Sequence, residues 1–125
     1  MESDIAGLYS YNFLTSAYHD TYRHIFPGFA SDELLMYTTT YDEFVYNSII
    51  PTNTLNRYLW SEPYKSVYQC NLMIESLEKS TAIKQSLKDE ALGTARFLRA
   101  LNYLNLVSLF GDVPLVLASD VTVSG

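Results

Sequence analysis

Cysteine is nearly absent from this sequence, with Cys70 standing alone among 125 residues. One thiol closes no intramolecular disulfide and builds no multi-thiolate metal site, and within a helical stretch it reads as a small buried hydrophobe. Basic residues are scarce as well, eight Lys and Arg against fourteen Asp and Glu, for a formal net charge of −6. Phosphate-tracking proteins need clustered Lys and Arg, so nucleic acid is excluded as a partner. The two histidines, His19 and His24, are five apart. That spacing puts them on different helix faces, unlike zinc ligands at i and i+4, and no metal or cofactor site is expected. G-x-S-x-G, P-loop and G-x-G-x-x-G motifs are missing too. Met1, Glu2, Ser3 and Asp4 form neither the basic nor the apolar part of a secretory signal. No 34-residue repeat is visible.

What is present is one strongly apolar stretch, from Leu87 to Leu117, around which the chain is organised and whose apolar residues recur at helical spacing from Ala91 to Phe110. Its second half carries Leu101, Tyr103, Leu104, Leu106, Val107, Leu109 and Phe110, which point in nearly every direction around a helix axis. A helix apolar all round is surrounded by protein or lipid. Asn102, Asn105 and Ser108 interrupt it and Arg96 and Arg99 precede it, so it fails as a membrane crossing of roughly 20 residues. The expectation is a central, buried helix of one domain, since a chain of this length supports a single core burying roughly 65% of its unfolded surface. Gly111 and Pro114 then predict a sharp stop, followed by an extended apolar tail over Val113 to Leu117.

Two further helices are predicted upstream. The first runs from Ser3 to about Ile25, with Tyr11, Leu14, Tyr18, Tyr22 and Ile25 on one face, Ile5, Tyr9, Phe13 and Ala17 on another, and Pro27 and Gly28 at its end. The second starts at Thr54 as N-cap and runs to about Lys79, its core seam made of Trp60, Tyr64, Val67, Asn71 and Ile74. Pro63 bends this helix or makes it restart at Ser61. The polar turn at Glu78 to Thr81 is short, so the second and third helices are antiparallel neighbours, the third beginning near Lys84 to Leu87. Asn71, Asn102 and Asn105 lie among apolar neighbours and, if buried, need partners such as backbone carbonyls of an adjacent helix or loop. Arg96 and Arg99 suit a surface or interhelical ion pair.

The run Ala95-Arg96-Phe97-Leu98-Arg99-Ala100-Leu101-Asn102-Tyr103-Leu104-Asn105-Leu106-Val107, followed by Leu109-Phe110-Gly111-Asp112-Val113-Pro114-Leu115-Val116, resembles the helix-to-GDVP-Leu-Val signature of SusD/RagB-type lipoproteins. Trp60-x3-Tyr64-x2-Val67-x3-Asn71-x2-Ile74 resembles a second helix motif of the same family, and the two occur in the family's order. The resemblance implies an all-α, tetratricopeptide-like bundle or solenoid fragment: three main helices, a long irregular loop over about 27–53 and a short extended tail over about 112–125. It implies the N-terminal helical portion of an outer-membrane protein on the extracellular face, whose export signal and lipid-bearing cysteine lie outside this chain. It also implies an oligosaccharide ligand passed to a SusC-like TonB-dependent transporter. In the absence of the family's larger C-terminal region, the tail and the third helix would be partly uncovered.

Candidate binding residues come from the loop. Sugars present apolar C–H faces and a rim of hydroxyls, so a pocket needs flat aromatic platforms with amides or carboxylates beside them. Tyr37, Tyr41, Asp42, Phe44, Tyr46 and Asn53 supply that mixture. The same aromatics would equally pack beneath the loop onto the helices. Trp60, on the stripe of Tyr64, Val67 and Ile74, is expected in the core. Glycan hydrolysis needs two carboxylates across a cleft, and the loop's acids come as adjacent pairs, Asp32-Glu33 and Asp42-Glu43, which cannot straddle a bond. Binding without catalysis is therefore expected, and a small helical adaptor for a peptide or partner protein is the alternative.

Overall fold

The computed structural model describes residues 6, 7, 10, 23–35, 37 and 39–120. Helix α1 spans Arg23–Ala30, a 3-10 turn spans Thr39–Tyr41, α2 spans Asp42–Val45, α3 spans Thr54–Lys79 and α4 spans Gln85–Phe110. No strand occurs among the described residues, and the fold is all-α. The helix expected from Ser3 lies mostly outside the described residues. Its described continuation does not stop at Pro27 and Gly28, because both sit inside α1. Termination comes later, where Asp32 adopts φ 61° and the Gly28 carbonyl accepts from the Glu33 and Leu34 amides at 3.0 and 3.1 Å.

Helices α3 and α4 dominate the molecule, each 26 residues and thus about 39 Å long. They are antiparallel: Trp60 meets Phe110, Tyr64 meets Tyr103, Asn71 meets Arg99 and Glu78 meets Arg96. Between them Cys70, Ile74 and Leu77 pack with Ala91, Leu92, Ala95 and Leu98 as one apolar cluster. Small residues at Cys70, Ala91 and Ala95, all fully buried, let the two backbones approach. Burial pushes the Cys70 thiol up to about 11, against the opposing charge of Arg99, so it stays protonated at neutral pH. A second cluster of Phe26, Phe29, Phe44 and Leu59 joins α1 and α2 to the start of α3.

Three local features differ from expectation. The N-cap of α3 is Asn53 rather than Thr54: its Oδ1 accepts from the Leu55 and Asn56 amides at 2.8 and 3.0 Å. Pro63 does not make α3 restart at Ser61: the helix runs unbroken from Thr54 to Lys79 with the proline buried. The region expected as a loop carries the end of α1, the 3-10 turn and α2.

The larger correction concerns α4, whose composition predicted enclosure. On one face Leu98 packs against α3, and Leu106 is fully buried as well. The opposite face leaves Phe97 61%, Leu104 62% and Val107 51% exposed. One antiparallel neighbour covers one stripe of a helix, and apolar composition by itself supplies no second neighbour. Trp60 is likewise at the rim and not inside, 37% exposed and edge-on to Phe110 at 5.1 Å.

These placements predict an asymmetry between two leucines six residues apart. Leu98→Ala should cost about 2–5 kcal/mol through lost burial and a residual cavity, whereas Leu104→Ala should stay within about 0.5 kcal/mol. Urea unfolding followed by circular dichroism measures both, and equal costs would contradict the exposed face of α4.

Candidate functional site

Beyond α4 the chain turns at Gly111, whose φ of 74° is disfavoured for any residue with a side chain, and its amide closes the helix onto the Val107 carbonyl at 2.9 Å. Residues 113–119 then lie back across the α3–α4 pair, held by side chains and not by a sheet. Tyr64 Oη donates to the Pro114 carbonyl at 2.7 Å. Tyr103 Oη donates to the Val116 carbonyl at 3.0 Å and accepts from the Val116 amide at 2.7 Å. Asn71 Nδ2 donates to the carbonyls of Val116 and Ala118 at 3.1 and 3.2 Å. Glu75 accepts from the Ser119 amide and hydroxyl at 2.7 and 2.6 Å.

The carbonyls engaged belong to Pro114, Val116 and Ala118, every second residue. The intervening side chains face outward, Leu115 66% and Leu117 56% exposed. Asn71 itself is 1% exposed, and its Oδ1 accepts from Arg99 Nη1 at 2.8 Å. Its amide therefore joins α3, α4 and the tail at one point, meeting the requirement for a carbonyl partner. Burial, with a smaller contribution from Tyr103, pushes the Tyr64 phenol up, keeping it a donor at neutral pH. Arg96 pairs with Glu78 at 3.1 Å, but both are more than half exposed, so the pair adds at most about 1 kcal/mol. Asn102 turns back on its own helix, Nδ2 to the Leu98 carbonyl at 2.8 Å.

The six loop candidates fall into different environments. Phe44 is buried, stacked on Phe26 at 4.4 Å, so its ring is core and not a platform for a ligand. Tyr41 is half-buried with Phe26 and Phe29 each at 5.5 Å. The Asn53 amide is committed as a cap, its Nδ2 donating to Glu43 Oε2 at 2.8 Å. Glu43 Oε2 also takes the Ile50 amide at 3.1 Å, so this carboxylate fastens α2 to the start of α3. Asp42 is half-buried in the first turn of α2. Tyr37 and Tyr46 are open, 99% and 73% exposed. Asn47, next to Tyr46, ties the end of α2 to the end of α1, its Nδ2 donating to the Ala30 carbonyl at 3.2 Å. Among the described residues, no group of His, Cys, Asp and Glu is arranged to hold a metal ion, and no helix is long and apolar enough to cross a membrane.

Sequence reasoning passed over Tyr64, Tyr103 and Glu75 as polar ligands of the tail. The signal for them was the pairing of two motifs on one chain: Tyr64 and Asn71 belong to the first motif, and the carbonyls they bind belong to or adjoin the second.

Two predictions follow from the clamp. Asn71→Ala should cost about 2–4 kcal/mol, because it removes three hydrogen bonds and strands the Arg99 guanidinium. Hydrogen exchange should show the Val116 and Ser119 amides losing protection while α3 and α4 retain theirs. The second concerns Glu75, whose carboxyl is held below the ordinary glutamate range chiefly by the Ser119 hydroxyl and then by the Ser119 amide. A depressed carboxylate stabilises the fold above its unfolded pKa, ~4.3, and loses that contribution as pH falls through its folded value. Protection of the Ser119 amide should therefore be constant from neutral pH down to that range and then collapse, and Glu75→Gln should abolish the acid step.

Comparison with known proteins accords with this architecture. A family model described as SusD-like, "Starch-binding associating with outer membrane", matches residues 5–124. "SusD-like protein P25" of Formosa agariphila is 29% identical over 55 residues, 44% of this chain. That match spans 10% of the relative's own length. No solved structure matches. With its two motifs hydrogen-bonded to each other and the family match running nearly end to end, the chain belongs to the SusD-like family, whose members are described as starch-binding and outer-membrane-associated.

Proposed function

We propose that residues 1–125 form the N-terminal helical portion of a cell-surface protein that captures an oligosaccharide and passes it to a SusC-like TonB-dependent transporter, without catalysis. The observation that carries this is the clamp: Tyr64 and Asn71, from one family motif, bind backbone carbonyls of the GDVP-Leu-Val segment and its continuation. A scaffold built this way fixes where the chain leaves the helical pair, which is what a loop-built sugar site requires of its support. The outer-membrane, extracellular location and a lipid anchor outside this chain belong to the same proposal.

Within the loops, Tyr37 and Tyr46 are the side chains free to lie against a sugar ring, with Asp42 half-buried beside the second. Tyr41, Phe44 and Asn53 are engaged in the packing and capping that hold α2 against α1 and α3. Absence of catalysis is supported by the state of the loop carboxylates. Glu43 is spent on Ile50 and Asn53, and Asp42, its neighbour in sequence, cannot straddle a bond with it.

The alternative, a helical adaptor for a peptide, draws on the open face of α4 at Phe97, Leu104 and Val107. A glycan array probed with the protein in its native sequence context decides between them, since an adaptor binds no glycan. Loss of either ring, by Tyr37→Ala or Tyr46→Ala, should weaken glycan binding about fivefold, the equivalent of ~1 kcal/mol of stacking, and leave stability within about 0.5 kcal/mol. Isothermal titration reads the first quantity and urea unfolding the second. Unchanged affinity in both variants would remove these rings from the site.

A further inference from the structure

A cleft of about 340 Å3 lies where α1, α2 and the start of α3 meet the end of α4. Its floor is apolar and already packed, with Phe26 and Phe44 1% and 2% exposed. Its walls are open, Ile49 38% and Leu109 37% exposed. Ser31 and Ser108 stand on the rim, but both hydroxyls donate to backbone carbonyls behind them, of Gly28 at 3.3 Å and Leu104 at 2.7 Å. Asn56 adds one side-chain amide to an otherwise apolar lining, so the cleft suits an aliphatic or aromatic side chain better than a sugar edge.

The charge around it is predominantly of one sign, with Arg57, next to Asn56 in the lining, the exception. From residue 31 to residue 56 the chain carries Asp32, Glu33, Asp42 and Glu43 and no Lys, Arg or His; the next base is Arg57. Asp32 and Glu33 directly follow Ser31 on the rim, Asp42 and Glu43 directly precede Phe44 in the floor, and Asp112 lies two residues beyond Phe110 in the wall. A preformed apolar cleft beside like charges selects a partner whose apolar anchor is flanked by the opposite charge.

We infer that this cleft docks a segment of a partner protein that inserts one aliphatic or aromatic side chain and sets Lys or Arg against Asp32 and Glu33. Tyr37 and Tyr46 do not line the cleft, so the inference goes beyond glycan capture and stands or falls separately from it. Such a segment binds by a buried anchor with a charged rim, the usual division between affinity and selectivity at protein surfaces.

The test uses the whole chain and two fluorescein-labelled synthetic hexapeptides, Lys-Arg-Leu-Phe-Lys-Lys and its charge-inverted counterpart Glu-Asp-Leu-Phe-Glu-Glu, read by fluorescence anisotropy. The basic peptide should bind at least about tenfold more tightly than the acidic one and weaken as salt shortens the Debye length. Ser108→Trp, which fills the cleft from an exposed helical position, should abolish binding with an unchanged circular dichroism spectrum. The double variant Asp32→Lys/Glu33→Lys should reverse the preference between the peptides. Maltoheptaose should not displace the basic peptide. Binding of neither peptide, equal binding of both, indifference to Ser108→Trp, an unreversed preference in the double variant, or displacement by the glucan would each overturn the assignment. The last outcome would make the cleft a sugar site instead.

Discussion

The side chain of Asn71 is the junction on which the rest of the structure depends. A buried amide without partners costs about 1–3 kcal/mol per unsatisfied group, so its position is tolerable only where three partners converge. Here both amide hydrogens go to tail carbonyls, Val116 and Ala118, and the oxygen takes a guanidinium hydrogen from Arg99 on α4. Apolar contact between α3 and α4 holds the pair together but is indifferent to small slips. The amide is not, because a displacement of one residue in the tail would offer it no carbonyl and would turn Leu115 and Leu117 toward polar groups.

The residues leading into the tail are suited to that junction. Gly111 permits the backbone reversal at φ 74°, and Pro114 has only a carbonyl to offer, which Tyr64 takes. Tyr103 serves Val116 in both directions, donating to its carbonyl and accepting from its amide. The two family motifs are thus two parts of one hydrogen-bonded arrangement: the first supplies the Tyr64 and Asn71 side chains, and the second supplies the Arg99 and Tyr103 side chains and the tail backbone that they hold. Neither part has a physical reason to persist without the other.

The long helices were legible because their limits are written in local chemistry: a capping side chain at one end of α3, a polar turn after Lys79, and a glycine after Phe110. The cap was misplaced by one residue because Asn53 and Thr54 are both capping types, and only the return of Asn53 Nδ2 to Glu43 decides between them. Burial was harder to read. Periodicity reports which positions are apolar, not how many neighbours cover them, so Leu104 and Leu106 look alike in sequence and differ from 62% to 0% in exposure. In the loop, Tyr37 and Phe44 are both aromatics flanked by one polar and one apolar residue, and their fates diverge because α1 brings Phe26 over one of them. That is tertiary information no local window contains. Asn71 was recognisable as a buried polar group in need of partners. Its partners, 45 and 47 residues away, were not.

The outward leucines of the tail show which force positions it. Leu115 and Leu117 remain more than half exposed, forgoing roughly 2–4 kcal/mol that their burial would supply. The five hydrogen bonds from Tyr64, Asn71 and Tyr103, at about 0.5–1.5 kcal/mol each, contribute roughly 3–8 kcal/mol before the entropy of ordering the segment is subtracted. Polar recognition therefore outweighs burial here, but by a margin small enough that losing one or two bonds would bring the two into balance. A tail placed by hydrophobic contact would bury its leucines and leave its carbonyls to water; this one does the reverse. Its apolar side chains are consequently left on the surface together with Phe97, Leu104 and Val107 of α4, so polar contacts set the internal order while much of the apolar surface faces outward.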